Sequence, residues 1–190
     1  MNAASTSPSL AVQESWLTRY YLTRAAFSFA WVAASLTLGT HSWLAAALLL
    51  VCYPVWDALA NMVDAARSGG LARNTTQAVN VAVSLATAIA VAFSLASMNR
   101  VLAVFGAWAI LSGLLQLGTA LRRWKTLGAQ WAMVLSGAQS ALAGGFFIAQ
   151  ARMPQVPSIA NVAGYAGVGA VYFLVSALWL AVGARRRKLA

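Results

Sequence analysis

Acid is the scarcest chemistry in this chain. Among 190 residues there are three carboxylates, Glu14, Asp57 and Asp64, against 13 Lys and Arg. Cysteine and histidine occur once each, as Cys52 and His41. A single cysteine excludes an intramolecular disulfide, and one Cys with one His excludes a His/Cys metal site within one chain. Charge of either sign is short: 8% of residues are Asp, Glu, Lys or Arg, where soluble domains carry about 25%. No Ser-His-acid set, phosphate-binding loop or dinucleotide fingerprint is present, so neither a catalytic residue nor a cofactor or metal site is expected.

What is abundant is apolar surface. Hydrophobic residues make up 61% of the chain and the mean hydropathy is +0.72. A soluble fold of this size cannot hide that much, so the expected solvent is lipid. About 20 apolar residues cross a bilayer as a helix, and a helix satisfies its own backbone there. Six stretches qualify, at 21–39, 43–65, 77–97, 101–121, 129–150 and 159–183. Between them lie "GTHS", "RSGGLARNTT", "SMNR", "RRWKTLG" and "ARMPQVPS", each rich in turn formers or charge. The expected fold is an all-α membrane protein of six transmembrane helices in three consecutive hairpins, at 21–65, 77–121 and 129–183.

The net charge of +10 would suggest nucleic acid in a polar protein. Here the basic residues punctuate apolar runs and report orientation instead. Arg19, Arg24, Arg67, Arg73, Arg122, Arg123, Lys125, Arg185, Arg186, Arg187 and Lys188 fall on one side of the expected layout, and only Arg100 and Arg152 on the other. By the positive-inside rule both termini are cytoplasmic. The implied partners are membrane lipids, with anionic headgroups at the cytoplasmic rim and no nucleic acid. Residues 185–190 form a basic cytoplasmic tail after a transmembrane domain at 21–184. Residues 1–20 lack the order of a secretory signal. They read either as a tail with a short interfacial helix, Trp16, Tyr20 and Tyr21 against the headgroups, or as an extension of the first span. Trp43, Trp124 and Trp131 are further interfacial anchors.

The returning helices fit one frame. "GAWAILSGLLQLGTALRR" from Gly106 and "GAVYFLVSALWLAVGARR" from Gly169 both end in Arg-Arg, and "VCYPVWDALANMVDAAR" places Arg67 under Arg122. Gly113, Gly118, Gly137, Gly144 and Gly145 stand at spacings that let helices approach closely. Such faces suit contacts within one chain or between copies, so a homo-oligomer stays open and no protein partner is specified.

"FGAWAILSGLLQLGTALRRW" and "VLSGAQSALAGGFFI" resemble the HdeD-like family of small six-span bacterial inner-membrane proteins, and the resemblance spans about residues 20–185. It implies a bacterial inner-membrane location, a short repeated hairpin and a link to acid or envelope stress resistance, and supplies no catalytic residues. The first hairpin departs from the family pattern, with Ser and Ala where Gly is favoured and with an Asp pair.

That pair is the candidate site. Asp57 lies about 15 Å along its helix from Arg67, near mid-bilayer, where an ionised carboxylate costs about 2.5 kcal/mol or more. It is expected to be neutral or partnered, with Asn61, Asn80, Gln116 and Gln139 as polar candidates. Two uses are open: glue between helices, or a proton site in a small transporter or channel subunit. Pro54 lacks an amide hydrogen and loosens the turn before it, which offers Asp57 a free carbonyl. Asp64 is one turn from the cytoplasmic edge and is expected to pair with Arg24 or Arg67. His41 reads as a turn residue and Cys52 as a small packing residue. The expected function is non-enzymatic, carried by helix packing and interaction.

Overall fold

The computed structural model describes residues 10–123 and 130–189. It is helical throughout, with no strand among the described residues. Helix α1 runs unbroken from Leu10 to Ala34, so of the two readings of residues 1–20 the described part, from Leu10, follows the continuous one; a π-helical turn at Ser35–Gly39 follows. Next come α2 (Trp43–Arg67), a 3₁₀ turn at Leu71–Arg73, α3 (Thr75–Ser94), α4 (Met98–Arg123), α5 (Gln130–Gln150) and α6 (Ile159–Leu189). Among the described residues four segments are long and apolar enough to cross a membrane: Trp43–Arg67, Thr75–Ser94, Met98–Gly118 and Ile159–Arg187. Their outer surfaces are greasy, as Phe93 at 83% and Trp179 at 67% exposure illustrate.

Local chemistry sets the ends of these helices. Ser42 caps α2, its hydroxyl accepting from the Ala45 amide at 3.3 Å. At the other end the Gly70 amide donates to Ala65 O at 2.8 Å. Gly69 and Gly70 take φ of 95° and 89°, left-handed values that a side chain would strain. Asn74 then ties the loop, donating to Ser68 O at 2.7 Å and Gly70 O at 2.9 Å. At the opposite end Asn99, in the first turn of α4, donates to Ala151 O and Met153 O and holds the chain as it leaves α5.

The described chain forms two compact units. One joins residues 10–30 to 166–189. In it Tyr21 stacks on Phe173 at 6.2 Å, and Glu14 is ion-paired with Arg187. The other comprises Trp31–Tyr165. There α2 packs on α3, α3 on α4, and α4 most extensively on α5. Its centre is apolar and tight: Leu50, Val91, Val101, Leu102, Phe105, Ala109 and Val162 are all but inaccessible.

The α4–α5 contact is built from glycine. A methyl group added at Gly113 would lie 2.5 Å from Gly137 O and 2.8 Å from Ala141 N; one at Gly137 would lie 2.9 Å from Gly113 O. Seven residues away, a methyl at Gly106 would meet Gly144 O at 2.8 Å, and one at Gly144 would press on Gly106 O in turn. The helices are antiparallel with backbone against backbone at two levels, where any side chain would wedge them apart. Gly106 thus joins the packing set. Gly118 and Gly145, expected in it, have nothing within 4 Å of an added methyl. Each lies on an outward face, because helix rotation turns the contact row past it.

Candidate functional site

The carboxylate of Asp57 is partnered, in a network that draws on three helices. The Ser84 hydroxyl of α3 donates to Asp57 Oδ2 at 2.8 Å, and the Asn61 amide, one turn along α2, donates to the same oxygen at 3.0 Å. Asn61 also donates to the Asp57 carbonyl at 2.9 Å. From α4, Trp108 Nε1 donates to Ser84 Oγ at 3.1 Å. The directions are forced: an indole nitrogen only donates, so the Ser84 oxygen must accept from it, and its single proton is left for Asp57. Ser84 and Trp108 are buried and Asp57 half-buried. In so apolar a setting each of these groups would be costly if unpaired.

A second tie starts from the next residue of α4. Ser140 Oγ of α5 donates to Ala109 O at 3.0 Å and lies 2.6 Å from Tyr165 Oη of α6. With the serine proton spent on the carbonyl, the tyrosine hydroxyl donates to the serine. Residues 108 and 109 therefore link α4 to α3 and α2 on one side and to α5 and α6 on the other. Aromatic rings close the gaps. Trp108 meets Tyr53 edge-on at 5.9 Å and Phe105 at 5.8 Å, and Tyr165 lies edge-on to both Trp108 and Phe147. Edge-to-face pairs set positive ring edges against negative faces.

Next to the Leu50 carbonyl, which Pro54 leaves without its helical donor, α2 takes a bond from outside the helix. Trp31 Nε1 donates to Leu49 O at 2.8 Å, and its ring lies 4.5 Å from that of Tyr53. Asp57, expected to serve a freed carbonyl, faces Ser84 and Asn61 instead.

The other expected site residues do not gather at this point. Asn80 and Gln116 are half-buried and make no side-chain hydrogen bond to a described residue. Gln139 is exposed on α5 and is itself engaged. Of the five expected polar groups, Asp57 and Asn61 are joined directly, whereas Asn80 and Gln116 take no part in that bond. Asp64 accepts from Gln77 Nε2 of α3 at 3.0 Å. The expected partner Arg67 is exposed on the last turn of α2 and is itself engaged. Arg24 is spent within its own unit: Nη1 donates to Tyr20 Oη at 3.1 Å and the guanidinium lies 4.3 Å from the Phe173 ring centre.

His41 is a turn residue. Its Nδ1 lies 2.9 Å from Thr37 O and from Thr40 Oγ1, whose own proton goes to Leu36 O. Both partners accept, so Nδ1 carries the proton. Cys52 is exposed on α2 rather than packed, since its row faces away from the neighbouring helices. Trp16, Tyr20 and Tyr21 form one aromatic cluster, and Trp43 is exposed at the start of α2. The side chains of Arg122, Arg123, Trp124, Lys125, Trp131 and Lys188 lie outside the described residues. No cluster of three metal-ligating side chains occurs among those described.

Sequence reasoning missed Ser84, Trp108, Ser140 and Tyr165. Serine carries little signal, because in a helix it can satisfy itself on the carbonyl four residues back. No protein-family model, curated protein or solved structure matches the chain.

Proposed function

We propose that this chain is a six-span protein of the bacterial inner membrane, with both termini in the cytoplasm, of the HdeD-like kind that its glycine-rich hairpins resemble. It is non-enzymatic, and it serves acid or envelope stress resistance through packed helices and the interactions they present. One observation carries the reading: Asp57, the carboxylate deepest in an apolar helix, is committed to Ser84 and Asn61. A group used in this way ties helices together, and Asn keeps the size and the accepting oxygen needed for that task.

Acid-survival assays and proteoliposomes test it together. In a strain lacking the protein, Asp57→Asn is expected to restore survival at low pH as wild type does, and Asp57→Leu to fail. Proteoliposomes holding the wild-type chain are expected to dissipate a proton gradient no faster than empty ones. A proton flux that Asp57→Asn abolishes would replace this reading with that of a small proton-linked transporter.

A further inference from the structure

The second half of α6 carries a row that its own unit leaves uncovered. Val171, Val175, Leu178 and Val182 are 50%, 54%, 54% and 48% exposed. They recur at alternating spacings of four and three residues, which places them on one helix face. The next step of three brings Arg185 onto the same face. Trp179, 67% exposed, and Arg186 share the adjoining row, seven residues apart. The buried row of this half of α6 is made of Ala166, Ala170 and Ala177.

Charge at the end of the row is uneven. Arg187 is engaged by Glu14 of α1. Arg185 and Arg186 are exposed and make no ion pair with a described residue. Lengths agree with a membrane leaflet. From Val171 to Val182 the helix rises roughly 16 Å, and half of a bilayer's hydrocarbon core is about 15 Å. An acyl chain lying on this row would end where the guanidinium pair begins. Forked guanidinium donors match phosphate oxygens, and the continuous apolar row selects a phosphate that carries hydrocarbon.

We propose that this face of α6 binds one anionic phospholipid of the cytoplasmic leaflet, its chain along Val171, Val175, Leu178 and Val182 and its phosphate on Arg185 and Arg186. This rests on the membrane reading and on a cytoplasmic C-terminus, and adds to them a defined site.

The test uses the full chain in neutral detergent, with thermal unfolding followed as dioleoyl phosphatidylglycerol or dioleoyl phosphatidylcholine is added. Binding is read separately by quenching with phosphatidylglycerol brominated on its chains, the Trp179 share taken by difference from Trp179→Phe. Phosphatidylglycerol is expected to stabilise saturably and to quench Trp179. Arg185→Gln/Arg186→Gln is expected to raise its half-saturating concentration by about thirtyfold, given about 1 kcal/mol for each of the two charges. Arg100→Gln/Arg152→Gln is expected to leave it unchanged, and inorganic phosphate to give no stabilisation. Equal effects of the two lipids, or an unchanged half-saturation in the double variant, would overturn the site. Carbonate extraction of cell membranes separates the two claims: release of wild-type chain overturns the membrane reading itself, whereas retention without lipid preference overturns the site alone.

Discussion

An indole nitrogen gives one proton and accepts none, and that fact makes the Trp108–Ser84–Asp57 chain directional. Ser84→Ala removes the middle member and leaves a donor and an acceptor facing each other across a gap; leaving buried groups unpaired costs about 1–3 kcal/mol. Trp108→Phe leaves the serine hydroxyl free to turn. A double-mutant cycle on Ser84→Ala and Trp108→Phe, read by unfolding in detergent, is expected to give a coupling of about 0.6 kcal/mol and no more than about 1.7. A coupling of zero would show that the two groups do not bond. At this scale the sequence was half legible. The cost of a carboxylate in lipid pointed to Asp57, and its own helix supplied Asn61 one turn on. Ser84 and Trp108 stayed hidden because their roles depend on how α3 and α4 are rotated about their axes, which composition does not encode. Asp64 shows the same limit: an arginine stands three residues away, yet the facing helix supplies a glutamine donor.

Among the elements, the α4–α5 pair is the most constrained. Gly113→Leu or Gly144→Leu would drive a side chain into facing backbone, at a cost of about 1–3 kcal/mol or more, seen as a lower unfolding temperature. Gly118→Ala and Gly145→Ala meet only open space and are expected to be neutral or to stabilise by up to about 1 kcal/mol through helix propensity. If all four variants behaved alike, the contact row would be wrongly placed. The positions of α2, α3 and α4 were readable to within a few residues, because runs of apolar residues and turn formers are properties of the chain itself. Which glycines touch a neighbour was not readable, since Gly113 and Gly118 differ only in the angle at which they leave the same helix. On α2, Cys52 gives a further check. It is exposed, and an outer surface bathed in lipid is expected to keep it unlabelled by a membrane-impermeant maleimide until detergent denatures the protein. Rapid labelling in intact membranes would place that face in water.

For the molecule as a whole, helices long and apolar enough to cross a membrane suggest lipid as the solvent, and the distribution of arginine predicts an orientation. Reporter fusions at the two ends are expected to be active on the same, cytoplasmic side; opposite sides would rule out an even number of spans. The class was legible from scarce charge and abundant apolar surface, whereas the biological task has no counterpart in any single motif.

The paired glycines of α4 and α5 carry one last implication. Sliding α5 along α4 by a full heptad would bring Gly113 opposite Gly144 but set Gly106 and Gly137 opposite Ala151 and Ala120, so only one alignment sets glycine on glycine at both crossings. The pair therefore works as a vernier, and a one-residue insertion between Gly106 and Gly113 should do more damage than a longer one in the connection between the helices.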